Sequence, residues 1–432
     1  MDDETLVLKQ KIKVLWITNI VFPEAMLLLK GTGDLKASGG WMLGAAQALI
    51  AKEGVQLYIA AVCPDVNVLT RLEGERIIYY LLPYGKGNNR YNSEYESLWI
   101  MIRDEVQPDV VHIHGSEFTH GLAYVRACSA DRVVVSIQGL VGVYSRYYYS
   151  GLSKGQIIKN STYRSLLGRN IFTGKRSFQR RGEYERELLT RVKHIIGRTS
   201  WDKAHAWAIN PCAQYHHVDE TLRKEFYDGD WRYENCTVHS IFLSQANYSV
   251  KGLHMVLRAM PYVLRHYSDA KIIVAGNDIT HKRSLHDLLY YTDYGKVISR
   301  VIKHYDLKNA VLFTGPLNAE GMKREYLKAN VFVCPSSIEN SPNSIGEAQL
   351  LGVPVLASYV GGISDMMVGD EEHLYRFEEV EMMAKKICDI FATEGAQLNT
   401  KKMQEIARIR HDAKTNCDHL LKVYGIVAGI NV

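Results

Sequence analysis

Residues 336–362 read SSIENSPNSIGEAQLLGVPVLASYVGG. The apolar run Asn330–Pro335 leads into this stretch and predicts a strand. Ser336–Asn343 then reads as a loop, Ser344 as the opening of a helix, and Gly352-Val-Pro-Val355 as the return into a second strand, followed by Gly361-Gly362. Strand, loop, helix and strand in that order make a parallel crossover unit. Two glutamates, Glu339 and Glu347, stand in it with seven residues between them. Ser344-Ile-Gly-Glu347 has the form of a capping box, in which each side chain satisfies an open backbone N–H. The same geometry permits a second role. Open N–H groups at a helix start attract phosphate, and a carboxylate there accepts two hydrogen bonds from a ribose diol, ~1.5–3 kcal/mol each. Glu339 lies on the loop, too far along the chain to cap the helix, and Pro342 stiffens its surroundings.

Short apolar runs of this kind recur along the whole chain. The first half carries them at 11–18, 55–62, 76–83, 108–115, 131–139, 193–199 and 213–218; the second at 237–245, 270–276, 310–315, 330–336, 352–358 and 373–377. Nearly continuous apolar strands with helical stretches between them imply parallel sheets covered on both faces. The polar stretch 219–236 separates the two series. The expected α/β architecture is two Rossmann-like doubly wound domains, residues 1–225 and 226–402, facing a central cleft. Residues 403–432 are expected to form a helix that crosses back to the first domain. Ligands of open parallel sheets bind at the carboxyl ends of the strands, so the residues just after each strand are the ones to inspect.

The chain has 432 residues, 47% hydrophobic and 23% charged, with a net charge of +5. This is an ordinary globular composition, and the basicity is too mild to indicate nucleic acid. Seven scattered cysteines without C-x-x-C pairing suit reduced thiols. MDDETLVLKQK at the start lacks the apolar core of a signal peptide, and no run reaches eighteen apolar residues. The expected location is cytoplasmic.

The 336–362 stretch resembles the signature of family 4 of the retaining GT-B glycosyltransferases (glycosyl transferases group 1), Glu-Gly-Phe-Gly-x-x-x-x-Glu-Ala followed by Gly-x-Pro-Val-x-Ala-Ser-x-x-Gly-Gly. Glu339, Glu347, Ala348, Gly352, Pro354, Val355, Ala357, Ser358, Gly361 and Gly362 match it. Residues 340–344 replace the usual Gly-Phe-Gly, in the manner of capsule and surface-polysaccharide enzymes. The resemblance implies that Glu339 contacts the donor sugar, that Glu347 contacts the nucleotide ribose, and that the amides of Asn343 and Ser344 hold the sugar or diphosphate. SQANYSVKG (244–252) stands where the family has Gly-Arg-x-x-x-x-Lys-Gly. Lys251 and Gly252 match, while Gln245 or Ala246 replaces the arginine, so Lys251 is left to neutralise the departing diphosphate as a point charge. Gly276 and Asn277 occupy the family's second strand-end glycine position, and Gly315, Pro316 and Leu317 the place where the base is bracketed; both also suit plain turns.

The first domain resembles the family more loosely. Gly39-Gly40 stands where the family has a Gly-Gly loop, and it equally suits a tight helix entry. Gly31-Thr-Gly-Asp lacks the third glycine of a dinucleotide fingerprint. Alternation puts His112 and His114 on one face of a strand. His114, nearer the strand end, is the candidate for the cleft. Gln138 stands where many family members have an active-site histidine; it can hydrogen-bond a sugar hydroxyl or oxyanion but cannot take up a proton at neutral pH. Arg198 ends the next strand. Asp228-Gly-Asp230 is an Asp-x-Asp without a preceding strand, and it is expected at the surface with no metal.

No acid lies between Asp131 and Glu183, a window rich in arginine, lysine and tyrosine. Segment 144–181 suits either a solvated basic face or contact with an anionic membrane. The implied function is retaining transfer of a sugar from a UDP- or GDP-sugar to a glycan or lipid-linked acceptor in surface-polysaccharide synthesis. No other cofactor, no metal and no nucleic acid are expected. Glu339, Lys251 and His114 are the expected catalytic residues, with domain closure about 219–236. The alternatives are a sugar-nucleotide epimerase on the same fold and a non-catalytic nucleotide-sugar-binding scaffold.

Overall fold

The computed structural model describes residues 11–31, 40–85, 90–282, 284–393 and 399–430. Gly39 and residues 32–36 lie outside them. The chain divides into two compact units: unit 1 comprises 1–143, 178–222 and 410–432, and unit 2 comprises 144–177 and 223–409.

Unit 1 is built on strands β1 (Ile12–Thr18), β2 (Val55–Cys63), β3 (Thr70–Glu73), β4 (Ile77–Pro83), β5 (Val110–His114), β6 (Val133–Ser136), β7 (His194–Gly197) and β8 (Gln214–His217), in the order β3-β4-β2-β1-β5-β6-β7-β8. The pairs are parallel except β3–β4, which is antiparallel. That edge departs from the all-parallel expectation. TRLE in β3 is half exposed and polar, so it lacks the apolar run that marks the central strands.

Strand β1 shows why these runs are apolar throughout. Ile12, Val14 and Trp16 enter one core beside helices Gly40–Ile50 and Ala413–Ala428, while Leu15 and Ile17 enter the opposite core beside Trp99 and Ile102 of helix Glu94–Val106. A strand covered on both faces has no side free for polar residues. The last helix is held by a polar pin: Trp16 Nε1 donates to the Tyr424 hydroxyl at 2.8 Å, which bonds His112 Nδ1 at 2.7 Å. His112 Nε2 reaches Ser136 Oγ at 2.6 Å. The single expected helix over 403–432 is two: Thr400–Arg410, which falls almost wholly in unit 2, and Ala413–Ala428 in unit 1.

Unit 2 carries β9 (Thr237–Leu243), β10 (Lys271–Val274), β11 (Val311–Phe313), β12 (Ala329–Cys334), β13 (Val355–Ser358) and β14 (Leu374–Tyr375), in the parallel order β11-β10-β9-β12-β13-β14. Segment 144–177, expected in the first domain, contributes Leu152, Ile157 and Ile171 to this unit's core. The polar stretch around 223–236 also packs here. Phe226 and Trp231 are buried, and Trp231 Nε1 donates to Ala329 O at 2.7 Å. Asp228 and Asp230 lie on this stretch, each beside a lysine, Lys323 and Lys401 respectively. No helix among the described residues is long and apolar enough to cross a membrane.

Candidate active site

In unit 2 the loops after β9 and β12 meet. Ser337 N donates to Val250 O at 2.8 Å, and a Cβ on Gly252, whose φ is 73°, would overlap the carbonyl of Pro335. The absence of that Cβ brings Lys251 against the β12 loop. Its Nζ donates to Glu339 Oε1 at 2.5 Å, and Ser336 Oγ donates to the same oxygen at 2.8 Å. Burial alone would push the Lys251 ammonium down, but the charge and hydrogen bond of Glu339 hold it above its ordinary value. Gly361-Gly362 closes the loop from the other side. Gly361 has φ 54°, a Cβ there would overlap Glu339 O, and Gly362 N donates to that oxygen at 3.1 Å. The glycine pair of the opening stretch thus exists to let the chain after β13 touch the Glu339 backbone.

The helix runs Asn343–Leu350 with Pro342 at its N-cap and no side-chain cap bond. This corrects the capping-box expectation: helical backbone begins at Asn343, so Ser344 is already inside the first turn and cannot cap it. Asn343 and Ser344 are its first two residues, where backbone N–H groups point away from the helix body. Glu347 instead faces Arg223, whose Nε and Nη2 both donate to Oε1, at 2.9 and 2.6 Å. Burial pushes the Glu347 carboxyl up to about 7, against the pull of the Arg223 charge. Arg223 was invisible to sequence reasoning. It sits in a polar stretch 124 residues from its partner, and the only hint was its adjacency to the break between the two strand series.

Gly276 and Gly315 face each other across β10 and β11, each N–H donating to the other's carbonyl at 3.0 and 3.1 Å. Both have positive φ and open space where a Cβ would stand. Asn277 and Pro316 are exposed and Leu317 is half-buried beside this bridge.

Unit 1 gathers a second set. His112 and His114 stack with ring centroids 3.7 Å apart, on one strand face as alternation requires. His112 is spent on Tyr424 and Ser136. His114 is buried against Trp16, and its Nε2 has no partner among the described residues. Burial, with the nearby His112 and Arg198 charges, holds His114 well below its ordinary pKa, so it is a neutral imidazole. It lines a cavity with Gln138, Arg198, Glu220 and Trp41. Gly40 begins the helix that carries Trp41. Arg198 is not a free cation: it is ion-paired with Glu220, and its Nη2 donates to Ile137 O at 2.9 Å. Glu185 was also missed. It accepts from Ser116 Oγ at 2.9 Å and Gly142 N at 3.0 Å, tying together the chain after β5 and β6, and burial pushes its carboxyl up to about 7. Among the described residues, Asp370, Glu372 and His373 form the one group with metal-ligand spacing, on the short turn before β14.

Two Rossmann-like domains of parallel sheet define the GT-B fold, and solved structures agree. The sucrose-phosphate synthase of Thermosynechococcus elongatus superposes with a TM-score of 0.70 over 97% of this chain and 100% of that one, at 15% identity. HepE of Anabaena, solved with UDP-glucose, superposes with a TM-score of 0.63 over 96% and 100%, at 14% identity. Residues 238–393 match the family described as Glycosyl transferases group 1. A stretch of 127 residues, 29% of this chain, is 30% identical to an uncharacterized glycosyltransferase of Methanocaldococcus jannaschii and spans 28% of that relative's length.

Proposed function

We propose that this chain is a glycosyltransferase that moves a sugar from a nucleotide-sugar donor to a hydroxyl of a glycan or lipid-linked glycan, with retention of configuration. The observation that carries the reading is the constellation in unit 2, where Lys251 and Glu339, Arg223 and Glu347, and the Asn343–Ser344 helix start converge after β9 and β12. The match of residues 238–393 to Glycosyl transferases group 1 supports it, and so does a UDP-glucose complex on the same fold.

When the bond from sugar to diphosphate breaks, positive charge grows on the sugar and negative charge on the leaving group. Lys251 and the Asn343 and Ser344 amides would stabilise the diphosphate, a preorganised arrangement of the kind that dominates many rate enhancements. Glu339 would accept hydrogen bonds from sugar hydroxyls, and Glu347 from the ribose diol. Gly276, Asn277, Pro316 and Leu317 would border the base. Neutral His114, with one ring nitrogen as donor and the other as acceptor, and Gln138 offer hydrogen-bonding groups to an acceptor hydroxyl in the unit 1 cavity. The setting we propose is surface-polysaccharide synthesis on the cytoplasmic side of a membrane, with a UDP- or GDP-sugar as substrate and no further cofactor.

Thermal unfolding with UDP, GDP, ADP and their sugar conjugates tests the reading. A ligand at a hundredfold excess over Kd stabilises by about 2.7 kcal/mol. One nucleotide should stabilise the wild type and fail to stabilise Glu347→Ala. NMR of the product's anomeric centre then tests retention. No shift with any nucleotide would refute a nucleotide site. The lack of arginine at 245 and 246 favours a second reading, a nucleotide-sugar-binding subunit without turnover; binding with neither transfer nor donor hydrolysis would select it.

A further inference from the structure

The acid-free segment 144–177 divides once it is folded. Tyr148, Tyr149 and Phe172 turn inward against the unit 2 core, and the Lys175 ammonium lies 4.4 Å from the Tyr149 ring. The side chains left outside are of another kind. Ile158, Tyr163, Leu166 and Leu167 are 63%, 55%, 83% and 61% exposed, four large apolar groups within ten residues. Tyr290, 57% exposed, adjoins them through Arg164, whose Nη1 donates to Tyr290 O at 2.9 Å.

These side chains stand on a braced platform. Buried Asp293 accepts from Thr162 Oγ1 at 3.2 Å, from Ser165 Oγ, and from Ile171 N at 3.4 Å, fixing the turn from beneath. Lys296 Nζ and Arg300 Nη1 donate to Ser161 O and Lys159 O, at 2.6 and 3.0 Å. The leucines therefore cannot fold inward. Lys154, Lys159, Arg164 and Arg169 lie on the same segment, and none forms an ion pair among the described residues. Asp287, the acid of the neighbouring helix, is spent on capping that helix at Ser284 N, 2.9 Å away.

Protruding, mainly aliphatic side chains on a braced segment whose cations form no ion pair among the described residues match one environment well. The tips suit the acyl boundary of a bilayer and the cations suit its phosphates. Single-stranded nucleic acid would call for a surface made chiefly of stacking rings, whereas here Ile158, Leu166 and Leu167 protrude alongside the rings of Tyr163 and Tyr290. We propose that the turn 154–169 docks this chain on the surface of an anionic lipid bilayer. The proposal goes beyond the glycosyl-transfer reading and stands without it.

Co-sedimentation with vesicles tests it. Wild type should pellet with phosphatidylcholine–phosphatidylglycerol vesicles, far less with phosphatidylcholine alone, and less again at high salt. Leu166→Glu/Leu167→Glu should lower the partition coefficient about tenfold or more. Thermal unfolding should be unchanged, because both side chains are exposed. Lys159→Glu/Arg169→Glu is the second variant and should act through the charge alone. Failure of wild type to pellet with anionic vesicles overturns the proposal, as does pelleting that neither variant weakens or equal binding to neutral vesicles. A concentration-dependent dimer that Leu166→Glu/Leu167→Glu abolishes, without vesicle binding, would assign the surface to a second copy of the chain instead.

Discussion

Replacing Glu347 by glutamine should flatten part of the pH dependence of stability. The Glu347 side chain is buried and its pKa is pushed from 4.5 to about 7 by burial, with Arg223 pulling against the rise. Between those two values the folded chain keeps a proton that the unfolded chain has released. Stability therefore falls as pH rises through that window, and the penalty is complete above pH 7. At ~1.4 kcal/mol for each tenfold change in proton affinity, it amounts to roughly 3 kcal/mol, most of it developing between pH 5 and pH 8. Glutamine fills the same volume and has no proton to lose. Urea denaturation of wild type and Glu347→Gln at pH 5 and pH 8 measures the effect. Any fixed cost of the exchange is common to both pH values, and distant titrating groups cancel in the difference. The variant should gain roughly 2–3 kcal/mol relative to wild type on going from pH 5 to pH 8. An unchanged difference would mean that Arg223 keeps the carboxylate ionised throughout, and that the pair, rather than burial, governs this residue.

Gly361→Ala should dislodge the Glu339 loop. Its φ of 54° strains an alanine, and the new Cβ overlaps Glu339 O; the cost should exceed about 3 kcal/mol, read by urea denaturation, with nucleotide binding lost alongside. Tyr424→Phe should cost about 2–3 kcal/mol by denaturation at pH 7, because Trp16 Nε1 and His112 Nδ1 both lose a buried partner. A loss below about 0.5 kcal/mol would show that water replaces the hydroxyl.

The central strands were legible because they are apolar on both faces, and a two-faced core leaves no other use for such runs. β3 escaped because an edge strand with exposed Arg71 and Glu73 carries no such mark. The Lys251–Gly252 turn and the Gly361-Gly362 pair were legible as motifs, but their physical purpose was not: each admits a backbone carbonyl from another loop, which only folding brings near. The 144–177 segment was legible as basic and aromatic yet not as part of unit 2, since the inward turn of Tyr148 and Tyr149 depends on tertiary contacts. Pro342 explains the misplaced cap: the helix starts one residue before Ser344.

Both acids of the candidate donor site are held by the chain's own cations, Glu339 by Lys251 and Glu347 by Arg223. A buried carboxylate left alone costs several kcal/mol, so a ligand can open these pairs only by supplying a new partner for each charge. Under the proposed reading a nucleotide sugar does this, with anionic phosphate for the cations and sugar and ribose hydroxyls for the acids. Fragments of the ligand cannot. A nucleoside diphosphate would draw off Lys251 and leave Glu339 uncompensated; a free sugar would offer hydroxyls to Glu339 and nothing to Lys251. Binding of the whole nucleotide sugar should therefore exceed, in free energy, the sum of nucleoside diphosphate and free sugar measured separately, because only the joined ligand gives both Lys251 and Glu339 a new partner, and Lys251→Met/Glu339→Gln should remove much of that excess by removing this pair. Isothermal titration of the three ligands against both proteins decides it: simple additivity in the wild type would mean that this ion pair is not coupled to the ligand, and that Glu339 acts as a structural anchor of its loop.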